Sequence, residues 1–359
     1  MLQAANSTHS AIHIHPIEPV SQESQADDYA ELKQLLKASS LLNRQPAHHA
    51  LRALTVLAMT ALGMAAIVVQ PGFYWMLIDA VFLAFAYTQV AFLVHDAGHN
   101  QIARTVRGNG LVGVLFSNLL LGASFSWWVG KHNKHHRNPN RLGEDPDLGL
   151  ASLAFTQEQA RQKVGVLKYV VRYQAYLFIL LLLMEGFALR VISLRYLIRN
   201  SGRRSVVEGL LITAHFAFYF WLVFSHMHLW IGVAFIATHQ MLFGLYLGSV
   251  FAPNHKGMPV IEAGHQMTYL HQQALTARNV KGNVFVDFWY GGLNYQIEHH
   301  LFPIIPQNKI KRAQVIISNF CQTRGVPYRT VGMLESYREV LSYLHWVSSP
   351  LRTTRDSSL

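Results

Sequence analysis

Residues 73–99 read FYWMLIDAVFLAFAYTQVAFLVHDAGH, an apolar run that ends in His95-Asp96-Ala97-Gly98-His99. Phe73 to Val94 contains no Lys or Arg, and its length is close to the roughly 20 residues that carry a helix across a hydrocarbon core. Positions i and i+4 of a helix share a face, so the two imidazoles aim at one point. The stretch predicts a membrane helix with a pair of metal ligands at its mouth.

A second apolar run, Leu51 to Val69, precedes it across the turn Gln70-Pro71-Gly72. Val206 to Phe224 and Leu229 to Val250 form a further hairpin around Ser225 to His228. The chain of 359 residues is 51% hydrophobic and only 14% charged, more apolar than an ordinary soluble protein. The expected fold is therefore an all-α integral membrane protein with four transmembrane helices in two hairpins.

A formal net charge of +11 raises nucleic acid as a partner, and the placement of the charges excludes it. Of 30 Lys and Arg residues, 4 precede or open the first span, 15 lie between spans two and three, and 11 follow span four. None falls in either short turn, which is the positive-inside pattern. It places both termini and the histidine clusters on the cytoplasmic side; the membrane itself is expected to be a bacterial inner (cytoplasmic) membrane.

Two further apolar stretches, at about 111–125 and 173–189, are expected as interfacial helices. A crossing at the second would place Arg190, Arg195, Arg199, Arg203 and Arg204 outside and divide the histidine clusters; it is also short and carries Glu185. Residues 1–50 read as a polar cytosolic tail with a helix near Tyr29 to Ser39 and no signal peptide. The functional domain is expected over 51–347, with 348–359 as a C-terminal tail.

Two more clusters share the cytoplasmic side: His132-Asn133-Lys134-His135-His136 and Gln296-Ile297-Glu298-His299-His300. With 20 His in the chain, about one HxxxH is expected by chance but only about 0.06 of an HxxHH. His9 and His13 also match HxxxH, in the tail, and are read as incidental. His255 directly follows the fourth span. Adding it to His95, His99, His132, His135, His136, His299 and His300 makes eight imidazoles, enough for two metals with four nitrogens each. A single cysteine, Cys321, rules out thiolate metal sites. Iron, zinc, copper and nickel all suit imidazole. Asp96, Asn133, Glu298 and Asp145 or Asp147 are candidates to accept the second ring N–H, and Gln296 can supply an oxygen or hold a water.

The boxes, with GGLNYQIEHHLFP over Gly291 to Pro303, resemble the membrane fatty acid desaturases with three histidine boxes over roughly residues 50 to 330. The glutamine heading the third box is similar to the branch containing front-end and many bacterial acyl desaturases. The resemblance implies two iron ions, O2 as co-substrate, and removal of two hydrogens from adjacent methylenes of a fatty acyl chain on CoA or lipid. It also implies a cytosolic helical cap over the four transmembrane helices that holds the di-metal site, and it assigns the eight histidines as iron ligands. Relatives of known structure hold a water with an Asn four residues before the histidine corresponding to His255; here Phe251 stands there. His15-Pro16-Ile17 is no haem motif, so no haem is expected in this chain. Electrons would come from a separate donor, a ferredoxin, cytochrome b5 or a reductase. A hydroxylase on the same scaffold and a membrane metal transporter are the competing readings.

Overall fold

The computed structural model describes residues 22–69 and 72–353. His9, His13, His15-Pro16-Ile17, Gln70 and Pro71 lie outside the described residues, as does the tail from 354. Helix α1 (Gln22–Ala38) precedes two long apolar helices, α2 (Pro46–Val69) and α3 (Phe73–Gly98). Then α4 (Val106–Val114) runs into a π-helical stretch, Leu115–Leu120, and the chain bends by 118° into α5 (Phe125–Arg137). The short α6 (Gln157–Arg161) and α7 (Gly165–Arg172) lead to three long helices, α8 (Gln174–Arg199), α9 (Arg203–His226) and α10 (Leu229–His255). The last third holds α11 (Tyr269–Leu275), α12 (Val284–Trp289), α13 (Gln296–Leu301), α14 (Gln307–Thr323), α15 (Met333–Val347) and α16 (Pro350–Thr353). Within it β1 (Asn279–Val280) pairs in parallel with β2 (Thr330–Val331).

Among the described residues five helices, α2, α3, α8, α9 and α10, are long and apolar enough to cross a membrane. Four of them enclose the expected spans. The fifth corrects the expectation of a short interfacial helix at 173–189: α8 runs for 26 residues, and Glu185 does not interrupt it. Its neighbour Gly186 is where α8 crosses α10. A Cβ on Gly186 would lie 2.2 Å from the carbonyl oxygen of Gln240, and one on Gly244 2.5 Å from the Gly186 nitrogen, so the absence of side chains lets the two backbones touch.

The stretch 111–125 is likewise not one helix. It breaks at Leu121 to Ser124, and its freed backbone groups find partners on other helices. His215 Nδ1 bonds the Leu119 carbonyl at 3.0 Å, Arg190 donates to the Leu121 carbonyl at 2.9 Å, and the Ser124 N–H donates to Ser193 Oγ at 2.9 Å. Irregular backbone at membrane depth requires such internal satisfaction.

The ends of α8 can be placed by counting turns. Tyr219 and Val223 of α9 meet His239 and Gly232 of α10, so the two helices are antiparallel. At about 1.5 Å per residue, Glu208 lies about 27 Å from the α9–α10 turn, and His255 about 40 Å from it. Glu208 accepts from Ser124 Oγ at 2.7 Å, and Ser124 is about 12 Å of helix from His132. Both counts put the first turns of α9 toward His255. The opposite end of α8 is also on that side, since Gln174 bonds Ala154 and Leu344.

Residues before 51 contribute more than a polar tail. Leu32, Leu36 and Leu41 are buried against Leu301, Ile305 and Ile317, because the i, i+4 leucines of α1 find their partners some 270 residues away. Past 348, Leu351 of α16 is also buried, beside Val347 and Val171.

Candidate metal centre

Each cluster arrives on a different element. His95 sits in the last turn of α3 and His99 caps it; α5 carries His132, His135 and His136; His255 is the last residue of α10; His299 and His300 lie on α13. Gly98 permits the closure of α3 onto α5: a Cβ there would lie 2.5 Å from the Trp128 ring. That ring stacks on His132 at 4.6 Å between centroids.

The structure brings all eight rings together, as five and three. His95, His99, His132, His136 and His299 offer nitrogens within 4.8 Å of one another, and so do His135, His255 and His300. From sequence, eight imidazoles are enough for two metals with four nitrogens each, or for an unequal pair. The His136 Nε2 faces His132 at 3.1 Å and His299 at 3.0 Å, which puts it in the larger group, although its ring stacks on His300 at 4.2 Å. The smaller group has a fourth neighbour in Gln296, whose amide nitrogen is 3.0 Å from His255 Nε2.

Hydrogen bonding alone cannot account for this packing. Four Nε2–Nε2 contacts link His99, His132, His136, His299 and His95 in a row, at 2.8, 3.1, 3.0 and 3.2 Å. A neutral imidazole nitrogen has either one proton or one lone pair, so each interior member serves one neighbour well and not two. Two ligands at right angles on one ion, each about 2.1 Å from it, are about 3.0 Å apart. The buried His300 Nε2 has no hydrogen-bond partner among the described residues. Burial, and then the neighbouring imidazoles, hold His299 and His300 well below the ordinary histidine range. Neutral rings with converging lone pairs fit a pair of metal ions.

The outer nitrogens are oriented from behind. His135 Nδ1 meets Asp145 at 3.0 Å, His255 Nδ1 meets the Thr276 carbonyl at 2.9 Å, and His300 Nδ1 meets Gln273 Oε1 at 2.8 Å. Gln273 also donates to the His136 carbonyl at 3.0 Å. Of the expected outer residues, Asp96 is 3.6 Å from His95 Nδ1 but chiefly pairs with Arg52. Asn133 lies on the exposed face of α5. Glu298 turns away from the imidazoles and accepts from Asn279 at 2.7 Å and Tyr328 at 2.5 Å; burial still pushes it up to about 7. Phe251 is partly exposed, and the polar groups beside His255 are Gln296 and Asn254, which donates to Gln296 Oε1 at 3.0 Å. Gln273 and Thr276 were not expected from sequence, since neither stands at a motif spacing.

The family model described as fatty acid desaturase matches residues 71–332, a stretch containing all eight histidines. The chain belongs to the fatty acid desaturase family. Among desaturases, an acyl-lipid (9-3)-desaturase of Physcomitrium patens is 30% identical over 89% of this chain and 62% of that protein. A Delta(6)-fatty-acid desaturase of Caenorhabditis elegans is 27% identical over 93% and 77%. A Delta 8-(E)-sphingolipid desaturase of Emericella nidulans is 27% identical over 77% and 55%. The chain thus spans less than two thirds of the first and third of these desaturases.

Proposed function

We propose that this chain is an O2-dependent desaturase of fatty acyl chains, with His95, His99, His132, His135, His136, His255, His299 and His300 as ligands to two irons. The convergence of these eight rings from four separate elements carries the reading. A C–H bond in the middle of a saturated chain offers no polar handle, and bound iron supplies the O2 chemistry that side chains lack. The residues of this chain supply the ligand nitrogens, fix their tautomers through Asp145, Thr276 and Gln273, and hold the site buried between cap and bilayer. Gln296 is assigned beside the three-histidine group, where its amide, held by Asn254 through the oxygen, would hold a water for the second iron.

The topology proposed is four crossings, α2, α3, α9 and α10, with α8 and the α4–α5 bend entering and leaving on the histidine side. The turn counting above supports it, and the distribution of Lys and Arg supports the cytoplasmic face. The relatives named above are eukaryotic and give no support to a bacterial membrane, so no organelle or cell type is assigned. Electrons come from a separate protein, a ferredoxin, cytochrome b5 or reductase.

Expression in a host lacking the activity, followed by mass spectrometry of derivatised fatty acids, tests the reading. A product two hydrogens lighter supports it. A product heavier by one oxygen would make the chain a hydroxylase, and unchanged lipids with a metal-loaded protein and a working donor would end the proposal.

A further inference from the structure

A cleft of about 880 Å³ opens between α6, α7 and the start of α16. Its lining includes Arg161, Lys163, Lys168 and Ser349, and no carboxylate among the described residues. Arg161 has only a loose contact with Glu158, at 3.8 Å with both side chains mostly exposed. Lys163 spends two of its three protons on the carbonyls of Leu150 and Ala151, which fixes the ammonium at the rim.

Helix α7 presents three faces at helical spacing. Val171 is buried against Val347 and Leu351. Val166 and Tyr169, with Tyr173 one turn on, are exposed apolar or aromatic side chains, and Val164 at the helix start is 77% exposed. Lys168 and Arg172 occupy the third. The cationic side continues past the cleft, where Arg352 donates to the Arg172 carbonyl at 3.3 Å. Neither Arg172 nor Arg352 has a carboxylate partner among the described residues, and the buried Nε of Arg172 has no hydrogen-bond partner. Exposed apolar residues continue along the first turns of α8 at Tyr176, Ile179 and Leu180.

We infer that this cleft binds the phosphate of an anionic membrane phospholipid. The apolar face of α7 rests in the acyl region, and Arg161, Lys168 and Arg172 receive the headgroup. A phosphate offers several acceptor oxygens to Lys168 and Arg172, which have no carboxylate partner among the described residues, and to Arg161, which Glu158 holds only loosely, and basic pockets at the cytoplasmic interface suit such headgroups. Continuity between the cationic cleft and an exposed apolar face selects a lipid over a soluble phosphate. The inference concerns a site apart from the metal centre and does not require the proposed reaction.

The test uses the full chain in nanodiscs of phosphatidylcholine with or without phosphatidylglycerol, with retained lipid read by native mass spectrometry after extraction into detergent. The wild type retains phosphatidylglycerol in preference to phosphatidylcholine. Arg161→Gln with Lys168→Gln, both exposed and free of packing roles, weakens retention more than ten-fold, since each charge is worth about five-fold. Lys33→Gln with Lys37→Gln, which removes equal charge from exposed positions of α1, leaves it unchanged. Equal retention in the cleft variant, or equal retention of the two lipids, overturns the inference. Displacement of phosphatidylglycerol by coenzyme A also overturns it, by assigning the cleft to a soluble phosphate. Retention that appears only with Asp356→Asn overturns it as well, since a carboxylate of the chain would then compete for the site.

Discussion

The Nδ1 of His135 lies 3.0 Å from a carboxylate oxygen of Asp145, which leaves Nε2 as the nitrogen facing His255, at 3.4 Å. The backbone N–H groups of Asn140 and Asp147 hold that carboxylate in place, each at 2.8 Å. Carboxylates behind metal-bound imidazoles typically change metal affinity by about 10- to 100-fold. Asp145→Asn is therefore expected to lower iron retention by about that factor, with the fold kept. Iron analysis after dialysis against a chelator measures it; retention equal to wild type would remove Asp145 from the site.

Gln296 distinguishes the two halves of the centre. Its amide nitrogen is 3.0 Å from His255 Nε2, beside the group with three histidines, while the other group has five. Gln296→Ala is expected to release about half of the bound iron and leave the remainder as tightly held as before. Iron per protein, followed during stepwise chelation, resolves the two classes. Uniform loss of both would show that Gln296 does not belong to one site.

The contact of α8 with α10 depends on Gly186, where a Cβ would meet the Gln240 carbonyl oxygen at 2.2 Å. Backbone cannot yield as a flexible side chain can, so Gly186→Ala forces the helices apart. Overpacking of this kind costs about 1–3 kcal/mol, and thermal unfolding in detergent should show the loss. Gly209→Ala, with nothing within 4 Å of the added carbon, is the matched control and should be neutral or slightly stabilising.

Burial raises Glu298 from 4.5 to about 7, which ties stability to pH in a defined direction. Between those values the unfolded chain has lost this proton and the folded chain has kept it. Folding then takes up a proton, so stability falls as pH rises through that window and levels off above it. Glu298→Gln should flatten that part of the profile. Denaturation of metal-free protein across the window checks it, and an unchanged slope would place the dependence elsewhere.

What could be read from sequence follows the range of the interactions. The His95–His99 and His132–His136 spacings are set by one turn of helix, and the apolar runs of α3 and α10 by membrane thickness, so local pattern revealed them. The break at Leu121 to Ser124 was hidden because the groups that satisfy it, Arg190, Ser193 and His215, stand 69 to 96 residues away. Gln273 was hidden for the same reason: its partners, His136 and His300, come from distant stretches. The division into five and three could not be read either, because spacing places rings on a helix face and says nothing of the facing helix.

The number of crossings has a direct readout, because the native thiol is silent. Cys321 is fully buried, and burial, with the Glu298 charge adding to it, pushes the thiol up to about 12, so it offers almost no thiolate to a labelling reagent. New cysteines at Ser201, between α8 and α9, and at His228, between α9 and α10, report the two ends of α9. With four crossings, Ser201→Cys reacts with an impermeant maleimide from the same side as Lys37→Cys on α1, and His228→Cys reacts from the opposite side. If α8 crossed as well, Ser201→Cys would lie opposite Lys37→Cys. The α9–α10 turn would then lie on the side of Lys37, and α10 would carry His255 away from His95 and His99, which α2 and α3 return to that side. The 3.0 Å and 3.4 Å approaches of His255 to Gln296 and His135 could not then form, so labelling of Ser201→Cys from the far side would overturn both the topology and the assembled centre.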